Sequence, residues 1–372
     1  MRILQVCSAS QLGGGEIHVS DLVRALSERG HALFLAVRPN SPLRPLLSGV
    51  ITSWHEVPMK NSLDVKSAAA ITEIINQYGI DIVHAHVGRD YLMTAMASRR
   101  ARKHKLVLTR HHYLPIKQNA IYRWMLKDVS AVIAVSAGVR ESVVERLALP
   151  EERVHEIPNW VDPSRFQLVD RDAARAMFRL NAKLAVACIG QITPAKGQED
   201  FVRAAARVAR MRADVEFLIV GDEQDERQPF SNKLSELAAQ LGMGDRLKFL
   251  GHVEFLPDLL AALDVVVVPS WDEGFSLVAI EALAAKRAVL ASDVGGIRGI
   301  IKDSQTGLLV PARDSNAMAN KLLWMLSDAP LRERLALQGQ RDVYARYGRD
   351  QIIDRIESLY LDLLESDADE EK

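Results

Sequence analysis

Short, almost wholly apolar segments alternate with amphipathic helical segments along the chain, and this alternation constrains the fold more than any other feature. In the first half, the apolar segments span 3–9, 32–37, 81–86, 105–111 and 131–136. Continuous apolar strands separated by helices are typical of a parallel sheet that helices cover on both faces. The first half is therefore predicted to be a doubly wound α/β domain.

The same pattern occurs again in the second half of the chain. Its apolar segments span 184–190, 215–221, 247–251, 265–270, 288–293 and 307–310, with helical sequences between them. A chain of 372 residues is long enough for two domains of ordinary size. We therefore predict two tandem Rossmann-like domains with parallel sheets, facing each other across a cleft.

The boundary between the domains is predicted in the segment IPNWVDPSRF at 157–166, where two prolines and a polar turn interrupt the periodicity. We assign 1–162 to the first domain and 163–348 to the second. A last amphipathic segment at 349–364 has no strand after it. Residues 365–372 are predicted to form a frayed acidic tail.

The charge distribution differs between the two halves. The formal net charge of −1 argues against a protein dedicated to nucleic-acid binding. Residues 1–160 nevertheless hold 20 Lys and Arg against 14 Asp and Glu, and the excess is densest in RRARKHK at 99–105. A solvated helix end is the commoner explanation of such a run. The alternative is an anionic partner, either a phospholipid surface or a phosphorylated acceptor.

Several other classes of protein are disfavoured by the sequence. Cys7 and Cys188 each lie in an apolar segment, so we expect both thiols to be buried and free, and two thiols alone make no zinc site. The apolar start MRILQVCSAS is too short for a signal peptide, and no run of 18 apolar residues could span a membrane. We therefore expect a cytoplasmic protein.

Ligands of doubly wound domains bind beyond the carboxyl ends of the strands, so the loops at those ends are the candidates for a site. The loop GGGE at 13–16 follows the first strand and precedes the first helix. Gly14 and Gly15 permit close approach of the backbone to a ligand, and the helix start offers N–H groups to an anion. Because the spacing is not G-x-G-x-x-G, a simple tight turn is an equal alternative.

Two adjacent histidines, His111 and His112, follow another strand of the first half. Neighbouring side chains on an extended backbone point in opposite directions, so we expect only one of them to face a site. A lone histidine more often packs in a core or lies on the surface, but the position at the end of a strand favours a role in the site for His111 or His112.

In the second half, the segment GQITPAKGQED at 190–200 follows the first strand. Lys196 and Gly197 form a turn that opens a helix. A lysine beside a helix N-terminus concentrates positive potential, which suits a diphosphate or a leaving group that gains negative charge. A lysine in a turn with no such role is the alternative.

The segment SWDEGFSLVAIE at 270–281 carries two glutamates, Glu273 and Glu281. A helix is predicted to begin near Ser276, whose hydroxyl can cap it, and its first N–H groups can face an anion. Carboxylates repel phosphate but accept hydrogen bonds from the paired hydroxyls of a sugar or ribose. One exposed glutamate and one on a helix surface, with no shared role, are the alternative. We predict instead that one glutamate binds a sugar and the other a ribose. The backbone that binds the phosphate between them is predicted at Gly274, Phe275, Ser276 and Leu277.

Together, these motifs resemble the retaining glycosyltransferases of family 4, which have the GT-B fold. The resemblance covers essentially the whole chain and is strongest over 250–311. The matching motifs are the E-x7-E pair Glu273 and Glu281, the GG-x-E loop at 13–16, the IPNGVD-like linker at 157–162, the Lys196-Gly197 pair and His111 of the T-x-H segment.

The resemblance implies that the second domain binds a nucleoside-diphosphate sugar and the first binds a glycan or lipid-linked acceptor. It implies transfer with retention of anomeric configuration and without a metal or other cofactor. Lys196 and the helix start at Ser276 would neutralise the departing nucleoside diphosphate. Glu273 would hold the donor sugar and Glu281 the ribose.

For the first domain, the resemblance implies that Gly14 lets the backbone reach the donor phosphate and that His111 contacts the donor sugar near the reacting carbon. It also implies that the segment 349–364 crosses back to the first domain. Bacterial surface glycan or lipopolysaccharide synthesis, at the inner face of the membrane, is the expected pathway.

Three positions depart from the family pattern. Gln191 stands where a donor-binding arginine is usual, so one positive charge on the diphosphate is missing. Either Lys196 and the helix dipole suffice, or another arginine substitutes. Trp160 replaces the usual glycine of the linker, and GGIRG at 295–299 replaces GGIPE. These departures bear on efficiency and donor choice more than on the class of reaction.

Three other functions fit the same frame of two Rossmann-like domains. A nucleotide-sugar epimerase also needs carboxylates and a diphosphate site. A nicotinamide-dependent oxidoreductase is disfavoured because G-x-G-x-x-G is missing. A non-catalytic homologue that binds nucleotide-sugars is suggested by Gln191, but the presence of Lys196 and both glutamates argues against it.

Overall fold

The computed structural model describes residues 1–11, 13–113, 120–147, 149–166, 169–225 and 227–370. The chain divides into two compact units. Unit 1 comprises Met1–Asn159 and Asp350–Lys372, and unit 2 comprises Trp160–Arg349. The chain therefore leaves unit 1 once and returns to it in its last segment.

Unit 1 contains a seven-stranded sheet in which every neighbouring pair of strands is parallel. Its strands are β1 (Arg2–Cys7), β2 (Ala32–Val37), β3 (Ser53–Glu56), β4 (Ile82–Ala85), β5 (Lys105–Arg110), β6 (Ala131–Ala134) and β7 (Val154–Glu156), in the spatial order β3-β2-β1-β4-β5-β6-β7. The helices before residue 160 are α1 (Gly14–Glu28), α2 (Leu43–Leu46), α3 (Val65–Tyr78), α4 (Asp90–Ser98), α5 (Ala120–Leu126) and α6 (Ala137–Leu147).

Unit 2 contains a six-stranded sheet, again with only parallel pairs. Its strands are β8 (Leu184–Ile189), β9 (Val215–Val220), β10 (Leu247–Phe249), β11 (Val265–Val268), β12 (Ala288–Ser292) and β13 (Leu308–Val310), in the spatial order β10-β9-β8-β11-β12-β13. Its helices are α7 (Arg171–Met177), α8 (Gln198–Met211), α9 (Pro229–Gln240), α10 (Leu256–Ala262), α11 (Leu277–Ala284), α12 (Ile297–Ile300), α13 (Ser315–Ser327) and α14 (Ala329–Tyr347).

Burial on both faces explains why the inner strands are continuous apolar runs. The four valines of β11 are at most 4% exposed. On one face of the unit 2 sheet, Phe201 of α8 meets Phe217 of β9 with ring centroids 6.3 Å apart. Each such side chain contributes about 1.5–3 kcal/mol by leaving water. The predicted fold class, two tandem units with parallel sheets and helices between the strands, is confirmed.

All eleven predicted strands are present, but two strands were missed, β3 and β7. They occupy the two edges of the unit 1 sheet, and their sequences are SWHE and VHE. An edge strand pairs on one side only and keeps part of its surface in water, so it needs no continuous apolar run. The continuous apolar run by which the other strands were recognised is therefore absent from these two.

The last helix, α15 (Arg349–Glu370), packs against unit 1. The buried hydroxyl of Tyr360 lies 2.6 Å from Nδ1 of His84 in β4, and Glu357 pairs with Arg29 at 2.7 Å. We predicted that the helix would end at 364 and that an acidic tail would follow, but it continues to Glu370. The extension contains no glycine or proline that would end a helix. Residues 371–372 lie outside the described part.

The two cysteines are buried and form no disulfide, as predicted. Burial raises the pKa of each thiol to about 12, so both remain protonated at neutral pH. None of the described helices combines the length and the apolar composition needed to cross a bilayer.

Candidate functional site

In unit 2, the turn that carries Lys196 lies directly against the end of another strand. After β8, a single 3₁₀ turn at Pro194–Lys196 leads into α8. Gly197 follows it with φ +71°, and a Cβ atom at this position would lie 2.0 Å from the carbonyl oxygen of Pro269. Only glycine fits a left-handed backbone at such a close approach. Gly197 therefore fixes the lysine turn beside the loop that follows β11.

Lys196 and Glu273 meet at this position. Nζ of Lys196 lies 2.7 Å from Oε2 of Glu273, and the hydroxyl of Ser270 donates to the same oxygen at 2.9 Å. The side chain of Glu273 is 8% exposed, whereas that of Lys196 is 35% exposed. Within the described residues both hydrogen bonds of this carboxylate reach Oε2. Oε1 is therefore the oxygen that can accept a hydrogen bond from a ligand hydroxyl.

Helix α11 begins next to this ion pair. Its N-cap is Ser276, whose hydroxyl accepts the N–H of Ala279 at 3.3 Å. The cap leaves the N–H groups of Leu277 and the next residue as the first ones without intrahelical partners. These N–H groups and the positive end of the helix dipole suit an anion.

Gly274 and Phe275 precede the cap of α11 rather than lying within the helix. The ring of Phe275 packs against Tyr347 with centroids 5.5 Å apart. The N–H of Gly296 donates to the carbonyl of Glu273 at 2.7 Å, and a Cβ atom on Gly296 would lie 2.1 Å from the carbonyl oxygen of Gly274. The loop that carries Glu273 is therefore held by close backbone packing.

The two remaining predicted donor-binding residues of unit 2 are Glu281 and Gln191. Glu281 lies on α11, about 1.4 turns beyond the cap, and is half-buried. The side chain of Gln191 is exposed, and its backbone carbonyl accepts a hydrogen bond from Gln198 at 2.9 Å. The structure therefore brings Lys196 and Glu273 into direct contact and leaves Gln191 facing solvent.

An arginine that sequence reasoning missed lies on the same side of unit 2. The guanidinium of Arg313, after β13, is 4.3 Å from the ring of Trp271. The backbone N–H of Trp271 donates to the carbonyl of Ala195, next to Lys196. Arg313 is therefore a second positive charge close to the lysine turn. No motif in the sequence pointed to it.

In unit 1, Gly14 and Gly15 are the first two residues of α1 rather than part of the loop before it. The N-cap is Gly13, which has an extended backbone. Sequence reasoning placed these glycines before the helix. Their N–H groups instead belong to the first turn of α1, where N–H groups lack intrahelical partners.

Of the two adjacent histidines, His112 is exposed and His111 is half-buried. This opposite placement agrees with the alternation expected after a strand. Nε2 of His111 is buried and has no hydrogen-bond partner among the described residues. Its ring meets the ring of His18, on α1, edge to face at a centroid distance of 4.9 Å.

Two further buried histidines lie next to this pair and were not singled out from the sequence. His84 of β4 is held between Tyr360 Oη and Thr109 Oγ1, each 2.6 Å from a ring nitrogen. His86 lies just beyond β4, with its ring 4.1 Å from that of His84. Both occur in DIVHAH, which was recognised only as a strand. The carboxyl end of this strand lies at the same edge of the sheet as the carboxyl end of β5, which precedes His111.

Burial controls the protonation of these imidazoles. It lowers the pKa of His18 to about 3 and lowers the pKa values of His84, His86 and His111 well below the usual value. Neighbouring imidazoles lower them further, because two cations cannot share a buried site. All four rings are therefore neutral near pH 7.

Comparison with known proteins identifies the family. A family model for "Glycosyl transferases group 1" matches residues 170–342, and one for "Glycosyltransferase Family 4" matches residues 12–165. A D-inositol 3-phosphate glycosyltransferase from Nocardia farcinica is 30% identical over 366 residues, covering 89% of this chain and 80% of that protein. The chain belongs to the GT-B glycosyltransferases.

Other relatives agree with this membership. An alpha-D-kanosaminyltransferase from Streptomyces kanamyceticus is 30% identical over 247 residues, which cover 65% of this chain and 62% of that protein. The crystal structure of Anabaena HepE in complex with UDP has a TM-score of 0.85 at 22% identity, covering 96% of this chain and 99% of that one. At that identity the likeness shows the fold alone. The predicted GT-B fold of this glycosyltransferase is confirmed.

Proposed function

We propose that this glycosyltransferase moves a sugar, with retention of anomeric configuration and without a metal, from a nucleoside-diphosphate sugar to an acceptor hydroxyl. The donor binds unit 2 at the turn of Lys196, the loop of Glu273 and the start of α11. The acceptor is a glycan or a lipid-linked molecule of bacterial surface glycan or lipopolysaccharide synthesis.

The observation that carries the proposal is the Lys196–Glu273 pair, 2.7 Å apart, at the N-terminal end of α11. Cleavage of an anomeric C–O bond places positive charge on the sugar and negative charge on the leaving phosphate. A fixed ammonium group and a helix N-terminus stabilise that negative charge where it develops. The carboxylate holds the lysine in place through Oε2 and accepts a sugar hydroxyl at Oε1.

The names of the related proteins support a nucleotide-sugar donor. HepE has been crystallised with UDP and with UDP-glucose, and the Nocardia and Streptomyces relatives are named as sugar transferases. Glu281 is half-buried one turn into the helix and is proposed to bind the ribose. The roles of Gly14, Gly15 and His111 of unit 1 toward the donor stay predictions.

The basic surface of unit 1 supports an acceptor at a membrane. The ring of Trp124 is 59% exposed and carries the guanidinium of Arg99 at 4.0 Å from its centroid. Arg99 begins the basic run 99–105. An exposed tryptophan beside clustered Lys and Arg fits the interface of an anionic bilayer, where both apolar and charged groups are satisfied. We propose peripheral contact of this surface with an anionic membrane.

The test is incubation of the purified chain with uridine, guanosine and adenosine diphosphate sugars in the presence of EDTA, with free nucleoside diphosphate as the readout. Release from one donor supports the proposal and identifies base and sugar. Nuclear magnetic resonance of a product then reports the anomeric configuration, and inversion contradicts the retaining mechanism.

Other outcomes distinguish the rival functions. A sugar nucleotide that changes configuration without releasing its diphosphate indicates an epimerase. Thermal stabilisation by a nucleotide without release, even with lipid-linked and glycan acceptors added, favours a non-catalytic homologue. Loss of activity in EDTA that Mg²⁺ restores would contradict metal independence.

A further inference from the structure

Three histidines from separate segments of unit 1 converge on one point. His18 comes from α1, His86 follows β4 and His111 follows β5. One ring nitrogen from each lies within 4.8 Å of the other two. His18 and His86 are 7% and 4% exposed. The group is therefore a compact set of nitrogen atoms at the carboxyl ends of neighbouring strands, at the edge of the sheet where ligands of such folds bind.

Two ring nitrogen atoms of these histidines have no hydrogen-bond partner within the described part of the chain. They are Nδ1 of His86 and Nε2 of His111, and both are inaccessible to solvent. A buried polar atom without a hydrogen bond costs about 1–3 kcal/mol. Two such atoms in the same group of rings indicate that the folded protein satisfies them with a ligand.

The orientation of His86 shows which kind of ligand suits the group. Its other nitrogen, Nε2, lies 2.6 Å from Oε1 of Gln5. The amide oxygen can only accept, so Nε2 carries the proton and Nδ1 presents a lone pair. Histidines that bind metals are typically held in this way by an oxygen atom on the second nitrogen. Gln5 is a neighbour of His84 across β1 and β4, so the sheet itself fixes this arrangement.

The chemistry of the rings fits the same ligand. A ring nitrogen that bears no proton is a ligand for divalent transition metals, whereas it has no proton to donate to a phosphate or a carboxylate. Three imidazoles form a set typical of zinc, which also takes water or another ligand at a fourth position.

We propose that His18, His86 and His111 form a binding site for a divalent transition-metal ion of the zinc type, with a fourth coordination position left open. Bonds of about 2.0–2.1 Å place tetrahedral ligand nitrogens about 3.3 Å apart. The rings therefore rotate inward from their present spacing when the ion binds. This site differs from the sequence-based expectation, which named no metal ligands.

The proposed ion takes no part in the transfer reaction, but its binding affects the reaction through His111. A bound ion occupies a nitrogen of His111, which the family resemblance places beside the donor sugar. On the basis of the proposed function, micromolar Zn²⁺ is then expected to inhibit transfer and EDTA to restore it. Transfer in EDTA with no metal uptake would overturn only the metal site, whereas metal uptake without transfer would overturn only the proposed function.

The test uses the full chain without an affinity tag, stripped with EDTA and dialysed. Titration with Zn²⁺ in a calorimeter, and metal analysis after gel filtration, are expected to give one ion per chain. Co²⁺ is expected to give the intense visible absorption of tetrahedral coordination. X-ray absorption of the zinc-loaded wild-type protein counts the imidazole ligands without any substitution, and fewer than three would contradict the assignment.

Variants locate the ion. His18→Gln and His86→Gln are expected to abolish uptake, and Gln5→Leu to weaken it by about 10–100-fold through loss of the orienting oxygen. His155→Gln, a half-buried histidine of β7 outside the group, is the matched control and keeps one ion. Circular dichroism checks that each variant folds. No uptake by the wild-type chain, or equal uptake by His86→Gln, overturns the proposal.

Discussion

The ammonium group of Lys196 lies 2.7 Å from Oε2 of Glu273, although 77 positions separate these residues in the sequence. The pair is asymmetric, because the carboxylate is buried and the lysine is partly exposed. A buried carboxylate with a lysine and a serine hydroxyl on one oxygen is held in a single position. The exposed side of the ammonium group remains available to a ligand phosphate.

Replacing Lys196 by alanine is expected to lower kcat about 10²- to 10³-fold, or about 2–4 kcal/mol, which is typical of losing one preorganised stabiliser of developing charge. The release of nucleoside diphosphate at saturating donor concentration measures kcat. Lys233→Ala is the control, because Lys233 pairs with Glu199 on the exposed surface of the same unit and is expected to leave kcat unchanged. Wild-type turnover in Lys196→Ala would remove the mechanism proposed for the leaving group.

Replacing Glu281 by alanine is expected mainly to raise the KM for the donor, because an interaction with the ribose is the same in the ground state and in the transition state. Initial rates over a range of donor concentrations separate KM from kcat. Glu236→Ala, at an exposed position of α9, serves as the control. If the KM of the Glu281 variant stayed at the wild-type value, the ribose would have to bind elsewhere.

Gly197→Ala is expected to destabilise unit 2 more than a matched glycine replacement. Gly197 and Gly242 have nearly equal φ values, +71° and +72°, so alanine costs about 1–2 kcal/mol at each for its backbone conformation. At Gly197 the new Cβ would also meet the carbonyl of Pro269, which adds about 1–3 kcal/mol. At Gly242 it meets no heavy atom within 4 Å among the described residues.

The comparison of these two glycine variants is made by urea unfolding of the full chain, followed by a probe of unit 2 such as hydrogen exchange. Gly197→Ala is expected to lose donor binding as well, since the turn of Lys196 would move. Equal losses of stability in the two variants would show that the contact with Pro269 is not tight.

The stability of unit 1 is expected to fall as the pH drops below about 6.5. Burial lowers the pKa values of His18, His84, His86 and His111 in the folded state, and that of His18 to about 3. As the pH falls, the histidines of the unfolded chain therefore bind protons before those of the folded chain do. Each such histidine lowers the free energy of unfolding by up to ~1.4 kcal/mol per pH unit below its unfolded pKa. For His18 the loss continues down to about pH 3.

Unfolding in urea at about pH 7.5 and about pH 5.5 in metal-free buffer measures this loss. The variant His18→Gln is expected to lose less between the two values, because it has one proton fewer to bind on unfolding. Equal unfolding free energies at both pH values for the wild-type chain would mean that these rings are not desolvated as described.

The sequence alone predicted the inner strands and the order of the loops that follow them. The run of four valines in β11 needs no partner to be recognised, because a strand covered on both faces must be apolar throughout. This criterion did not detect β3 (SWHE) and β7 (VHE), because an edge strand can contain polar residues. The end of α15 was also predicted too early, because acidic composition alone does not end a helix.

Motifs in the loops predicted which residues belong to a site but not how they contact one another. Lys196, Glu273 and Ser276 were each identified from local spacing, and the GT-B resemblance gave them a shared ligand. Arg313 and the group of His18, His86 and His111 could not be predicted, because each depends on segments that are distant in the chain.

The sequence by itself therefore determined the two parallel sheets and their strand-end loops, since these depend on local hydrophobic periodicity. Its motifs carried the family resemblance from which the class of enzyme was expected. Only the tertiary structure decided that Lys196 pairs with Glu273, that His111 faces inward and His112 outward, and that three imidazoles meet. These contacts depend on the sheet order, which brings the ends of non-consecutive strands together, and on close packing, which decides where each side chain lies.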